Sequence, residues 1–198
     1  MADTSAALDG ASLCTSGLLA GGRVATSMGW CPVEALTAGD LVVTFDNGMQ
    51  PVAEARRETI LVTEMIAPNA YGAVLVPSGA LGNSSDFELL PDQGVMIESD
   101  AACDFFGDPF AVVPAKSLVG YRDISRIPAR SQIDAVTLTF ASEQVIYLHG
   151  GATVYCAGPV MNLLDMDTQS VTYERVSANP ARALVESMIL KDHSAQMI

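Results

Sequence analysis

The sequence predicts an all-β domain that ends in one α-helix. Its hydrophobic residues come in short runs of four to six, a length typical of buried strands. Glycine, proline, asparagine and aspartate separate these runs. Near residue 179 the spacing of the apolar residues becomes helical instead. Many short strands with regular turns indicate the all-β class, and the change near residue 179 predicts the terminal helix.

Ten strands are predicted along the chain. Alternation is clearest at Val136, Leu138 and Phe140, where the intervening threonines point to the opposite face. Gly150-Gly151 between two β-rich runs predicts a hairpin. The predicted strands cover residues 23–26, 41–45, 52–63, 73–76, 87–90, 95–98, 110–113, 135–140, 145–148 and 152–156.

The terminal helix is predicted over residues 179–192. Asn179 is placed as its N-cap and Pro180 at its first helical position. One face, expected to pack on the β body, carries Ala181, Leu184, Val185 and Met188. The preceding residues 157–178 have no clear pattern beyond a predicted helical turn at 161–166. The expected organisation is therefore an N-terminal arm (1–16), a β domain (17–156) and a C-terminal extension (157–198).

Charge and hydropathy exclude several classes of function. The 198 residues carry a net charge of −13, which argues against binding nucleic acid or anionic lipid surfaces. No apolar run approaches the roughly 18 residues that a membrane span needs. The first residues lack the basic start and apolar core of a secretory signal, so a cytoplasmic location is favoured. Secretion without a signal peptide remains open.

Cysteine and histidine spacing predicts neither a metal site nor a cofactor site. The cysteines are Cys14, Cys31, Cys103 and Cys156, and none forms a C-x-x-C pair. With only two histidines in the chain, no zinc-ligand spacing exists. Reduced, partly buried thiols are expected, although a disulfide between two of them remains open.

The most specific pattern lies near the start of the chain. It consists of Gly17-Leu-Leu-Ala-Gly-Gly-Arg-Val-Ala-Thr26, then Gly29-Trp-Cys-Pro-Val-Glu-Ala-Leu36, then Gly39-Asp40 before a strand. These segments resemble the opening of bacterial Hint (Hedgehog/intein) domains. The resemblance implies a β fold with pseudo-twofold symmetry. A weak internal repeat, residues 33–39 and 115–120, agrees with that symmetry.

The resemblance also implies which chemistry to look for. In the family a Cys or Ser attacks the carbonyl before it, and a histidine assists the leaving nitrogen. The nucleophile position falls on Gly17. The segment around Pro91 resembles the family pattern Ser-Pro-Gln-His before a strand, with Pro91 at the hydroxyl position and Gly94 at the histidine. Glycine has no group that titrates or attacks, so self-cleavage is not expected.

Two functional alternatives remain open at this point. The first is an accessory or interaction module that uses a cleft left by the lost site to bind an unknown protein or peptide partner. The second is an autoprocessing domain in which Cys14 or Ser16 is the nucleophile, so enzymatic activity is undecided.

Three further groups of residues are given structural roles. His149 is expected to be partly buried and hydrogen-bonded, and Trp30 is expected to lie in the core. Glu98, Asp100 and Asp104 are interpreted as a solvated acidic loop around Cys103 and not as a cation site.

Overall fold

The computed structural model describes residues 15–62, 72–158 and 173–195, which form fourteen strands and two α-helices. The all-β prediction with a C-terminal helix is confirmed, and the strands build four small sheets. The strands are β1 (Leu18–Leu19), β2 (Arg23–Thr26), β3 (Gly29–Pro32), β4 (Leu41–Val43), β5 (Met49–Pro51), β6 (Glu54–Leu61), β7 (Val74–Val76), β8 (Phe87–Leu89), β9 (Gly94–Glu98), β10 (Phe110–Pro114), β11 (Ser125–Arg126), β12 (Gln132–Thr139), β13 (Gln144–Tyr147) and β14 (Thr153–Cys156).

The first strand of the domain, β1, pairs with β12, one of the two longest strands. β12 pairs along its whole length with β6, and its other edge pairs with β1 through Leu18↔Val136 and Leu19↔Ala135. The alternation predicted for β12 is observed, because Val136 and Leu138 are buried. Gly17 directly precedes β1, so the pairing of β1 with β12 places Gly17 beside Val136 and Thr137.

The sheet β3-β2-β4-β5 has one buried face and one exposed face. Val24 and Val42 point into the core. Trp30 lies opposite Ala25 on the outer face and is 45% exposed, so its predicted place in the core is wrong. The tight turn between β2 and β3 sets this register, which gives the core-facing position beside Val24 to Cys31.

The Pro-Val-Glu-x-Leu segment is explained by local contacts. Val33 and Leu36 are buried, whereas the Glu34 carboxylate accepts a hydrogen bond from Gly21 N–H at 3.0 Å. Asp40 likewise accepts from the N–H of Thr37 at 2.7 Å, which closes the turn before β4. These contacts tie the glycine turn after β1 to the next segment of the chain.

The internal repeat has a structural counterpart. Val33–Ala35 and Ala115–Leu118 are both 3-10 turns that follow a strand ending in proline. Each is followed by a glycine in the left-handed region, Gly39 at φ 95° and Gly120 at φ 94°. Because only glycine adopts such a φ without strain, the glycine that ends each repeat has a defined geometric role.

The remaining two sheets have the strand orders β10-β9-β14-β13 and β11-β7-β8. Residues 174–176 extend the sheet β10-β9-β14-β13 at its β10 edge. Val112 N–H donates to Glu174 C=O at 2.9 Å, and Val176 N–H donates to Val112 C=O at 2.9 Å. The chain thereby runs beside β10 before it enters the terminal helix.

The acidic segment around Cys103 is a helix, so the loop predicted there is wrong. α1 (Asp100–Phe106) begins at Ser99, whose hydroxyl accepts from Ala102 N–H at 3.1 Å. It ends at Gly107 with φ 78°. A serine N-cap and a left-handed glycine are the usual helix signals, and here they bound only seven residues.

The terminal helix α2 (Ala178–Ala195) extends further at both ends than the sequence predicts. Its buried residues, Ala181, Leu184, Val185 and Met188, belong to the main hydrophobic core. The helical turn predicted at 161–166 lies outside the described residues. Neither described helix is long and apolar enough to cross a membrane.

Candidate functional site

The residues before β1 lie against the segment that precedes β9. Thr15 C=O accepts a hydrogen bond from Asp92 N–H at 2.9 Å. Two residues later, Gly17 N–H donates to the side-chain oxygen Oε1 of Gln93, also at 2.9 Å. The backbone on both sides of Ser16 is therefore held by hydrogen bonds to distant residues, which are 76 positions apart in the case of Gly17 and Gln93.

Gln93 joins three parts of the chain. Its Nε2 donates to Tyr155 C=O at 2.8 Å and to Gly94 C=O at 3.1 Å, while its Oε1 accepts from Gly17. The residue is only 3% exposed. Gly17 and Gly94 thus lie on either side of one buried amide, which satisfies donors and acceptors that would otherwise be unpaired.

Gly94 sits where a side chain does not fit. A Cβ at this position would lie 2.9 Å from Val112 Cγ1 and 3.0 Å from Tyr155 Cβ. Both distances are shorter than ordinary van der Waals contact. The close packing of β10 and β14 against this end of β9 therefore favours glycine at position 94.

Gly17 is constrained by its backbone as well as by its neighbours. Its φ is +124°, a value that residues with a side chain rarely adopt. A Cβ would lie 3.3 Å from both Thr137 Oγ1 and Val136 O. The residue is also buried. Gly17 and Gln93 are therefore both packed inside the described part of the chain.

Asp92 ties the same segment to a lysine. Lys116 Nζ lies 2.6 Å from Asp92 Oδ1. Burial opposes ionisation of the Asp92 carboxyl, but hydrogen bonds from Lys116 and the Thr15 hydroxyl hold its pKa below the ordinary value. This charged pair lies at the surface, so it fixes the position of Thr15 more than it stabilises the fold.

The other candidate residues are separate from this cluster. Ser16 is exposed, and Cys14 lies outside the described residues. His149 is exposed and its ring packs edge-on against Trp30 at 5.1 Å, so its predicted partial burial is wrong. Asp104 forms an ion pair with Lys191 at 2.6 Å. Within residues 15–62, 72–158 and 173–195, no three His, Cys, Asp or Glu side chains converge on a possible metal position.

Cysteines in the described part of the chain are not disulfide-bonded. Cys103 is exposed, Cys31 is half-buried and Cys156 is buried. Burial raises the pKa of the Cys156 thiol to about 12, which leaves it protonated at neutral pH.

Sequence reasoning missed Gln93, although a signal for it was present. If Pro91 is matched to the proline of the Ser-Pro-Gln-His pattern, Gln93 and not Gly94 falls on the histidine. The earlier match placed Pro91 at the hydroxyl position, one residue away. The side chain of Gln93 contacts Gly17 N–H, whereas Gly94 has no side chain that could do so.

Comparisons with known proteins agree with this architecture. The family model described as Hint domain matches residues 16–154. The solution structure of a bacterial intein-like domain from Clostridium thermocellum has 13% sequence identity and a TM-score of 0.52. That match covers 71% of this chain and 98% of the other.

A splice-inactive AceL NrdHF class 3 split intein, also at 13% identity, has a TM-score of 0.46. It covers 73% of this chain and 99% of the split intein. No curated protein is significantly similar to the sequence.

Proposed function

Because the chain belongs to the Hint domain family, we propose that it is a member without self-cleaving activity that serves as an accessory or interaction module. The observation that carries this proposal is the buried amide of Gln93 between Gly17 and β14. Its partner would be a protein or a peptide, because the net charge of −13 disfavours nucleic acid.

The chemistry of Gln93 supports the loss of cleavage. We assign Gln93 to the position of the family histidine, since it is the side chain that contacts the N–H of residue 17. An amide does not titrate near neutral pH, so it cannot protonate a leaving nitrogen as an imidazolium does. Both of its N–H donors are already engaged, by Gly94 and Tyr155. It therefore acts as a structural link.

The nucleophile is missing at the matching position. Gly17 carries no hydroxyl or thiol, and its φ of +124° disfavours any residue that would supply one. Loss of both groups removes the attack on the carbonyl and the proton transfer that follows it.

One contact favours a second candidate function, autoprocessing by Ser16. Its hydroxyl would attack the carbonyl of Thr15, form an ester and release the Ser16 nitrogen as an amine. The oxygen of that carbonyl already accepts a hydrogen bond from Asp92 N–H at 2.9 Å. Such a donor stabilises the charge that develops on the oxygen. Cys14 would act in the same way on the preceding carbonyl.

Intact mass separates the two candidates. The full-length chain, carrying a small folded protein fused to its N-terminus, is incubated at neutral pH with dithiothreitol or hydroxylamine. We expect the mass to remain that of the uncleaved fusion, as it should for Ser16→Ala and Cys14→Ala controls. A fragment ending near residue 15 that disappears in one of these variants would instead identify the nucleophile.

A further inference from the structure

A groove of about 580 Å³ lies beside the Gly17 site, between β8 and the segment formed by β1 and its following turn. Its lining includes Leu19, Arg23, Glu88 and His149. The volume is within the range of about 300–1,000 Å³ that is usual for ligand sites. The groove is open, whereas the surroundings of Gln93 are buried.

One wall of the groove is the edge of a sheet. Ile127 N–H donates to Ala73 C=O at 2.9 Å, so these two residues form a hydrogen-bonded pair at the end of the β11–β7 ladder. Such pairs alternate along an antiparallel ladder, and Ser125 and Leu75, two positions further along, therefore form the next one. Backbone groups of Leu75 then face β11. Glu88 lies opposite Leu75 on the other side and therefore directs its N–H and C=O away from β7, towards the groove.

The opposite wall repeats this arrangement. Ala20 N–H donates to Asp134 C=O at 2.9 Å, so the alternating ladder turns the backbone groups of Leu19 away from β12. Leu19 C=O accepts from Gly22 N–H at 3.1 Å. Among the described residues, nothing accepts from Leu19 N–H. Two edge strands thus present unused backbone groups to one groove.

The lining carries two charged side chains without an ion-pair partner in the described part of the chain, Arg23 and Asp86, and the Asp86 carboxylate already accepts a hydrogen bond from Ser78 N–H at 2.8 Å. The side chain of Arg23 has no hydrogen-bond or ion-pair partner in the described residues, although the chain has 23 acidic residues. By contrast, Arg130 in the same groove contacts both carboxylate oxygens of Glu88 at 2.7 Å. Arg23 is therefore free to bind an anion from outside the chain.

We propose that this groove binds an extended peptide segment of another protein that carries aspartate or glutamate opposite Arg23. Main-chain groups of the peptide pair with the N–H and C=O of Glu88 and with the N–H of Leu19, and the acidic side chain pairs with Arg23. The inference rests on the proposed role as an interaction module, but it is independent of the chemistry at Gly17.

A peptide library tests this inference. A positional library of acetylated, amidated hexapeptides is selected on the full chain, on Arg23→Gln and on Arg56→Gln. Arg56 is an exposed arginine outside the groove that pairs with Glu58, so it is the matched control. We expect Asp and Glu to be enriched at one position, and the selected peptide to bind Arg23→Gln about tenfold more weakly.

Hydrogen exchange locates the bound peptide. The selected peptide should slow exchange of the Leu19 and Glu88 amides at least several-fold, and N-methylation of the residue that pairs with Glu88 should abolish binding. No acidic preference, equal binding to both arginine variants or protection elsewhere would overturn the inference. A chain that cleaves itself but binds the peptide would refute only the proposed function. A stable chain that selects no peptide would refute only this inference.

Discussion

At the scale of single residues, Gln93 is the group around which the candidate site is built. A neutral amide both donates and accepts, so one side chain satisfies Gly17 N–H and two carbonyl groups at once. A histidine in this place has one donor and one acceptor when neutral. At this position the amide of Gln93 therefore makes more hydrogen bonds than a neutral imidazole can make, and it does not titrate near neutral pH.

Gln93→Ala should destabilise the chain by about 2–5 kcal/mol, because Gly17 N–H and the carbonyls of Gly94 and Tyr155 each lose a buried partner. Urea unfolding followed by circular dichroism measures the change. Gln132→Ala is the matched control, since Gln132 is exposed, and we expect it to stay within about 0.5 kcal/mol of the parent. Equal effects of the two substitutions would mean that the amide is not a structural link.

At the scale of elements, the sequence predicted best where burial and turn residues agree. β2 was predicted with its observed bounds, and β7 to β10 within one residue at each end. β1, β3, β5 and β11 were missed because they have two to four residues and their pairing depends on distant partners. No local pattern exists for a two-residue strand such as β1, which β12 holds in place.

The candidate site shows the same limit. The resemblance brought residue 17 and the segment after Pro91 together, which Gln93 now does through a hydrogen bond. Which side chain points at Gly17 depends on a one-residue shift of the register before β9, and sequence spacing alone does not fix that shift. Likewise, Trp30 is aromatic and apolar, but its side of the sheet depends on the β2–β3 turn.

The terminal helix gives a test at this scale. Leu184 is fully buried in the core, whereas Leu190 on the same helix is 68% exposed. Leu184→Asp should cost more than the about 2–5 kcal/mol of a simple truncation, because it also buries an unpaired carboxylate. Leu190→Asp should change stability by less than about 0.5 kcal/mol.

Thermal unfolding measures the stability of both variants, and light scattering measures their oligomeric state. An unchanged melting temperature for Leu184→Asp, accompanied by dissociation of an oligomer, would instead identify this face of α2 as an interface.

At the scale of the whole molecule, a cysteine and a tyrosine with raised pKa values determine the pH above which the fold loses stability. Burial raises the pKa of Cys156 from 9.0 to about 12. Burial and the hydrogen bond to Glu143 also raise the pKa of Tyr155 from 10.0 to about 12. Both groups ionise more readily in the unfolded chain, so their contribution to stability is present below pH 9 and is lost as pH rises towards 12.

Accordingly, the urea midpoint should be nearly constant from about pH 7 to 8.5 and should fall steadily above about pH 9. In Cys156→Ala the fall should begin about one pH unit higher, at the ordinary pKa of tyrosine, because the pKa values of Tyr121, Tyr155 and Tyr173 are also raised in the fold. Equilibrium unfolding at a series of pH values measures both curves. Identical curves for parent and variant would show that Cys156 ionises equally in the folded and unfolded chain.

The pairing of β1 with β12 has a consequence for synthesis on the ribosome. Leu18 contacts Val136, so the first strand of the domain has no partner until 118 further residues have been made. At about 5–20 residues per second, this delay is roughly 6–24 seconds. Throughout that interval Leu18 and Leu19 are exposed to chaperones and proteases, and β1 reaches its place in the fold only after β12 has emerged.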